Sequence, residues 1–254
     1  MEKSTKNISR GQTARGVHRS VVEFLRECGK AKVGAAILDI PCGHGTLIAT
    51  LREFFPGAFV KGADLKVPEQ LSGDDFMAVD ANRPFQVFDG KKFDVVLSIS
   101  GVMEFDNTLQ FFENCRAHLK DDGLFLVSND NVISIRDRLS YLWLGKVRQY
   151  NMFAASGQAT WKVISIYNMV RILLDAGFTV KEIRYVSMRP KDYMMLPLAL
   201  LIYPVQFLYM LFSKHSMPMK MRLAMYPFSA LLYRHYMLVC EKASAVKPPV
   251  ARTE

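Results

Sequence analysis

Short apolar runs and stretches of helical periodicity alternate along most of this chain. Residues 36–40, 59–64, 76–80, 93–98, 124–128, 178–186 and 235–242 are apolar or β-branched segments bounded by Gly, Pro, Asp or Ser, and they read as strands. Between them, residues 12–28, 46–55, 108–119 and 165–176 repeat their apolar positions at helical spacing. Gly29 and Pro56-Gly57 stop the first two helices, Asp121-Asp122-Gly123 makes a turn after the third, and Ser165 caps the fourth before Gly177 ends it. Strands alternating with helices predict an α/β fold, a doubly wound sheet with helices on both faces. Two segments break the alternation. Residues 129–162 form a long connection rich in Arg, Tyr and Trp, and residues 193–213 carry no charge at all.

The first strand-to-helix passage carries the strongest chemical signal. The run 36–40 ends in Pro41-Cys42-Gly43-His44-Gly45, and helical periodicity begins at Thr46. Glycine lets the backbone turn sharply and approach a ligand closely. The helix start offers unpaired N–H groups to an anion. Asp39 lies inside the first strand end and Asp64 ends the next run, so both acids belong at the carboxyl edge of the sheet. The dinucleotide fingerprint G-x-G-x-x-G fits worse, because Ile48 stands where a small third residue is needed.

Asp39-Ile40-Pro41-Cys42-Gly43-His44-Gly45 resembles the first motif of class I S-adenosylmethionine (SAM)-dependent methyltransferases, with Pro41 where a glycine often stands. The resemblance implies a Rossmann-like seven-stranded sheet whose last strand is antiparallel and lies between the fifth and sixth. Periodicity alone gives no strand order. It implies SAM as cofactor, held by Asp39, Pro41, Cys42, Gly43, His44 and Gly45. Asp64, with Leu65 beside it, is placed at the ribose hydroxyls. Asp80 and Ala81 are placed at the adenine edge, and Ser98 where the fourth strand faces the reactive methyl. The helix 12–28 is expected to cover the cofactor; Arg15 and Arg19 could meet its carboxylate or an anionic substrate, but a solvated basic helix face is the preferred reading for both.

Methylating a hydroxyl needs a general base. The related O-methyltransferases often carry Glu-His after the fourth strand, and this chain has Glu104-Phe105 there. Glu104 and Asp106 are therefore the candidate catalytic residues. His118, His215 and His235 read as structural, and no His, Cys, Asp or Glu cluster has metal-ligand spacing. Residues 129–162 are expected to close over the substrate, with Arg136, Arg148, Tyr150 and Trp161 as contacts. Residues 129–139 resemble a bacterial group near the ubiquinone-biosynthesis O-methyltransferases, whose members often serve lipid or polysaccharide pathways.

Charge sharpens the picture of the partner. The net charge is +9, but residues 1–32 carry eight Lys/Arg against three Glu, and residues 188–236 carry six against one Asp. The core, 33–187, is near neutral. Neither basic end has a nucleic-acid motif, so an anionic membrane surface is the better expectation and nucleic acid is not expected as a partner. Residues 193–213 are long enough to span a bilayer. A final strand that rejoins the same sheet requires the chain to return, and the return piece 223–233 is too short to span. Residues 188–234 are thus expected as an apolar helical insertion lying in the membrane interface, with Lys191, Lys214, Lys220, Arg222 and Arg234 at headgroup level. A buried hairpin or a homodimer interface is the alternative. Four cysteines without C-x-x-C spacing, and a polar residue 1–32 segment without an apolar leader, suggest a cytoplasmic protein peripheral on the inner membrane face. The domains read as 1–32, 33–187, 188–234 and 235–254. The expected function is SAM-dependent methyl transfer, at oxygen, to an amphipathic or lipid-linked acceptor. A soluble small-molecule O- or N-methyltransferase with a dimerising insertion, and a catalytically silent SAM-binding membrane scaffold, are the competing readings.

Overall fold

The computed structural model describes residues 8–9, 11–68, 71, 73–147, 162–212 and 217–244. Seven strands form one sheet: β1 Ala36–Asp39, β2 Phe59–Asp64, β3 Phe76–Ala78, β4 Phe93–Ile99, β5 Leu119–Asp130, β6 Phe178–Val186 and β7 His235–Lys242. Their order is β3-β2-β1-β4-β5-β7-β6. The first five pair in parallel, and β7 runs antiparallel to both β5 and β6. This is the expected seven-stranded sheet with the last strand inserted between the fifth and sixth.

Strand alternation sends successive side chains to opposite faces. Ile37, Val95, Leu97, Leu126 and Val239 pack under α1 (Val17–Cys28) and α2 (Thr46–Phe54). Leu38, Val96, Phe125, Val127 and Leu238 pack under α3 (Thr108–Ala117) and α5 (Ile166–Asp175). α1 buries Val17, Val21, Phe24 and Leu25, the i, i+4, i+7, i+8 face. Ser165 caps α5, its hydroxyl accepting from the Asn168 N–H.

Local boundaries depart from expectation in three places. α1 starts at Val17 rather than at residue 12, because Gly16 sits at φ 91° and admits no helical turn before it. Residues 11–16 are instead an irregular strap. β5 begins at Leu119, so Asp121-Asp122-Gly123 lies inside a strand; the ladder to β4 absorbs the irregularity by slipping register between Phe93 and Val95. β3 ends at Ala78, leaving Asp80 in the following turn.

The two segments that broke the sequence pattern pack together. The described part of 129–162 contains α4 (Ile135–Leu144), and the insertion folds as a 3-10 turn at Pro190–Met195, α6 (Leu196–Phe212), α7 (Met219–Met225) and a second 3-10 turn at Phe228–Leu231. Ile135 and Leu139 of α4 meet Ala199 and Ile202 of α6 and Leu231 in a separate apolar cluster. Pro197 falls in the first turn of α6, Pro218 precedes α7 and Pro227 precedes the last 3-10 turn, where a missing N–H costs little. Pro204 sits inside α6 without ending it.

The joint is electrostatic. Asp192, 1% exposed, receives Arg234 Nε at 2.6 Å and Nη2 at 2.5 Å, with Arg136 Nε 2.9 Å away. Two expectations fall here. Arg136, expected to touch substrate, is tied to Asp192 and the Lys191 carbonyl. Arg234, expected at headgroup level, is buried in the same cluster, and Arg222, 8% exposed, donates to the Met210 carbonyl. Lys191 and Lys220 are exposed, and Lys214 lies outside the described residues.

Burial pushes the Asp192 carboxyl up, but the Arg234 hydrogen bonds, the Arg189 N–H and both guanidinium charges outweigh it and hold it below the usual range. Its folded-state pKa is therefore depressed, so its stabilisation is present above the unfolded-state value and is lost as pH falls through the folded one. Asp192→Ala should cost about 3–5 kcal/mol at neutral pH, because it strands two guanidinium groups. Urea unfolding should show that deficit shrinking toward acid pH; a variant as stable as the parent at neutral pH would contradict the clamp.

Candidate active site

The site forms where β1, β2 and β4 end. After Asp39 the chain passes Pro41 through a cis peptide, and the Cys42 N–H donates to the Ala63 carbonyl, pinning the loop to β2. Gly43 at φ 52° and Gly45 at φ 73° hold left-handed conformations that suit glycine, and Gly45 leads directly into α2. The Gly43 N–H donates to Asp64 Oδ2 at 2.8 Å, and the Leu65 N–H donates to Oδ1 at 2.7 Å. Each carboxylate oxygen keeps a second lone pair for a ligand hydroxyl.

Asp39 is 2% exposed, and its Oδ1 has no hydrogen-bond partner. Burial, and then the nearby Asp64 charge, push its carboxyl well above the usual range. Burial does the same to the Cys42 thiol, aided by Asp39 and Asp64. Two acids this close, one with an unsatisfied oxygen, form a pocket that favours positive charge.

A close approach closes the other side of the cleft. A Cβ on Gly101 would fall 2.3 Å from Pro41 Cγ, so the loop after β4 packs directly on the glycine loop. The strap crosses both: Gln12 Nε2 is 2.7 Å from His44 Nε2, and Thr13 Oγ1 is 2.7 Å from Ser100 Oγ. A Cβ on Gly43 would lie 2.7 Å from Gln12 Oε1. The cover over the cleft is thus the strap and not the helix expected there. Arg19 pairs with Glu23 on the solvent side of α1.

The remaining expected residues fall as follows. Asp80 folds its Oδ1 back onto the Asn82 N–H and pairs with Arg83, and Ala81 is buried beside it. Ser98 is wholly buried, its Oγ unpartnered, on the Val96 side of the sheet. Ser100, two residues on, stands at the cleft with φ 62°, a left-handed conformation that is uncommon for serine. Glu104 is exposed in the turn after β4. Asp106 is 88% exposed and paired with Lys162 at 3.1 Å. Neither of these acids is enclosed in the cleft. Arg148, Tyr150 and Trp161 lie outside the described residues.

A histidine that the sequence reads as structural stands behind Ser100. His235, the first residue of β7, is 1% exposed and lies opposite Asp130, the last residue of β5. Its Nδ1 is 3.1 Å from Asp130 Oδ1, and its Nε2 is 3.1 Å from Ser100 Oγ and 3.3 Å from Ser128 Oγ. The available signals were the serine after the fourth strand and a histidine opening the last. They become neighbours only when the last strand takes its antiparallel place.

A doubly wound sheet of this order, with a glycine loop, an acid on each of the first two strand ends and a buried unsatisfied carboxylate, is that of a class I SAM-dependent methyltransferase. Residues 12–183 match the family model described as methyltransferase domain, and the chain belongs to that family. No curated protein matches the chain. Among solved structures, it is similar to an S-adenosylmethionine-dependent methyltransferase from Mesorhizobium loti, at 14% identity over 87% of this chain and 96% of that one, with TM-score 0.51. It is also similar to magnesium protoporphyrin IX methyltransferase from Synechocystis with bound SAH, at 16% identity, 89% and 82% coverage and TM-score 0.51. Coclaurine N-methyltransferase bound to N-methylheliamine and SAH gives 11% identity, 89% and 70% coverage and TM-score 0.53. The cofactor is SAM.

The residues fit it. A ligand carrying an ammonium and a sulfonium, with a net charge of about +1, suits the acidic Asp39–Asp64 pair, and ribose hydroxyls match the free lone pairs of Asp64. When bound, the cofactor supplies a methyl group already activated for attack. The chain then has to orient an acceptor, exclude water and manage a proton.

Two predictions follow from the acids. Asp64→Ala should weaken SAM binding by about 1.5–3 kcal/mol, the loss of charge-assisted hydrogen bonds, and calorimetry showing unchanged affinity would refute its ribose role. Asp39 has a raised folded-state pKa, so the ligand-free protein loses stability as pH climbs from the unfolded-state value through the folded one. A bound cation favours the ionised form, so SAM binding should release a proton and tighten as pH rises from acid toward neutral. Asp39→Asn should abolish that proton release, weaken binding, and raise the melting temperature of the free protein at neutral pH. Calorimetry in buffers of different ionisation enthalpy, with a melting curve, reads all three.

Proposed function

We propose that this methyltransferase acts at a membrane face, transferring its methyl group to an oxygen of an amphipathic or lipid-linked acceptor. The observation that carries the reading is the outer side of α6. The stretch Pro190–Phe212 is 23 residues long and apolar enough to cross a membrane, and in its most apolar 18-residue window only 11% of the residues are buried within the protein. Leu200, Leu201, Val205, Leu208, Tyr209 and Phe212 are each more than half exposed. A soluble monomer rarely presents so continuous an apolar face.

A groove of about 680 Å³ runs beside that face, walled by Leu201, Val205 and Tyr209 of α6 and by Met225 and Tyr226. Arg138 lines it too, and also lines a smaller groove of about 360 Å³ with Val132 and Ile133. Ile133 is three residues beyond Asp130, whose carboxylate meets His235. An apolar tail lying in these grooves would lead a head group toward the cleft. Arg138 is held by the Ile133 carbonyl and Gln206 Oε1, both neutral, and its surroundings suit an anionic group near the chain entry. This agrees with the resemblance of residues 129–139 to the group near the ubiquinone-biosynthesis O-methyltransferases, and with a cytoplasmic protein peripheral on the inner face.

The buried state of Arg222 and Arg234 changes the balance of forces. Fewer cations remain for headgroups, each worth about 1 kcal/mol near an anionic surface. The large α6 side chains contribute about 1.5–3 kcal/mol each on full burial. Attachment should therefore persist in high salt and yield to detergent. Flotation with phosphatidylglycerol/phosphatidylethanolamine vesicles should carry the protein up, and replacing Leu200, Leu201, Phe207 and Leu208 with Ser should leave it in the aqueous layer with its SAM affinity intact. A parent protein that ignores the vesicles and forms a dimer through α6 would overturn the membrane reading in favour of a second copy as the partner of this face.

A further inference from the structure

Glu104 and Asp106 are both exposed, so neither offers the acceptor proton an enclosed destination. We propose that Asp130, His235 and Ser100 form a proton relay into the cleft, with Ser100 the group that touches the acceptor hydroxyl and His235 the base behind it. The inference rests on the oxygen-acceptor reading above.

The hydrogen-bond directions carry the argument. An ionised carboxylate only accepts, so the 3.1 Å contact from Asp130 Oδ1 places the imidazole proton on Nδ1. Nε2 is then a bare lone pair, aimed at Ser100 Oγ at 3.1 Å and Ser128 Oγ at 3.3 Å. Ser128 is fully buried, and its Oγ accepts the Ser100 N–H, which anchors the loop end over the ring. Ser100 is the half-buried member and the one whose hydroxyl continues outward, to Thr13 in the strap. The left-handed backbone of Ser100 aims it there, one residue before the contact of Gly101 with Pro41 of the cofactor loop. The arrangement parallels the logic of a carboxylate orienting an imidazole that activates a hydroxyl.

The charged groups around His235 are Asp130 from β5 and, at the residue just before β7, Arg234 with its partners Asp192 and Arg136. β6 presents Val186 opposite, and Thr13 of the strap meets Ser100, which meets the ring. In the transfer, a lone pair of the acceptor oxygen forms the O–CH₃ bond while the C–S pair stays on sulfur. The acceptor proton passes to Ser100 Oγ, and the Ser100 proton passes to His235 Nε2. The O–H pair remains on the acceptor oxygen, and the positive charge ends on an imidazolium beside Asp130. The strap contact from Thr13 occupies the place of the acceptor hydroxyl, so Thr13 must yield when the acceptor binds.

The first test needs no acceptor. Long-range proton–nitrogen NMR of His235 in the SAH complex should show the neutral ring protonated at Nδ1, with Asp130→Asn weakening that tautomer preference because the accepting carboxylate is lost. A ring protonated at Nε2 would overturn the relay. The second test uses para-octylphenol and para-octylthiophenol as probes, the thiol being largely ionised at mildly alkaline pH. Ser100→Ala and His235→Gln should each slow phenol methylation about 100-fold, a general-base effect, and slow thiophenol methylation only slightly. Asp130→Asn, which removes the carboxylate that orients the ring, should likewise slow the phenol and largely spare the thiophenol. Equal losses on both probes in Ser100→Ala, which leaves the buried histidine in place, would make the cluster structural. Wild-type turnover of octylamine with none of the phenol would instead overturn the oxygen reading itself.

Discussion

The register of β7 between β5 and β6 is the constraint from which most of the molecule's organisation follows. Antiparallel pairing of Asp130 with His235 closes the sheet and sets the imidazole beside a carboxylate at the catalytic edge. The residue before it, Arg234, is drawn onto buried Asp192, and Arg136 joins from α4. One strand placement thus fixes both ends of the apolar insertion, docks α4 against α6 and assembles the polar chain behind Ser100. It also requires the chain leaving α6 to come back to the sheet before β7 begins.

Two buried aspartates show how environment assigns a role. Asp192 has two guanidinium partners and a backbone N–H, and is held ionised as a structural joint. Asp39 is as deeply buried, faces another acid and keeps an unsatisfied oxygen. Burial without a partner destabilises the free protein, and the cost is recovered only when a cation enters. The first is a fold device and the second a binding device, although both are single carboxylates at the end of an apolar or turn segment.

The cleft and the apolar face are linked through α4. Residues expected to act as a substrate lid became, in their described part, the bridge between the sheet edge and the insertion. Arg136 went into the joint, while Arg138, two residues along the same helix, points into the grooves beside α6. One helix thus supplies an arginine that holds the architecture and another that lines the grooves beside the apolar face.

The seven strands, the glycine loop, Asp39, Asp64 and the cap of α5 were legible in the chain because each depends on neighbours close in sequence: a period, a turn residue, a hydroxyl before a helix. The start of α1 was misjudged by five residues because propensity favoured helix while Gly16 took a left-handed conformation, and β5 ran through a turn-like Asp121-Asp122-Gly123 because ladder hydrogen bonds outweighed local preference. His235, Ser100 and Asp130 were individually unremarkable. They are separated by up to 135 positions, and no local pattern encodes their meeting. The sequence by itself determined which segments would form strands and helices and placed the glycine-bearing turn between the first strand and its helix. The tertiary structure alone decided which polar side chains share the cleft, because that depends on strand order and register, and those are chosen by the packing of both sheet faces at once.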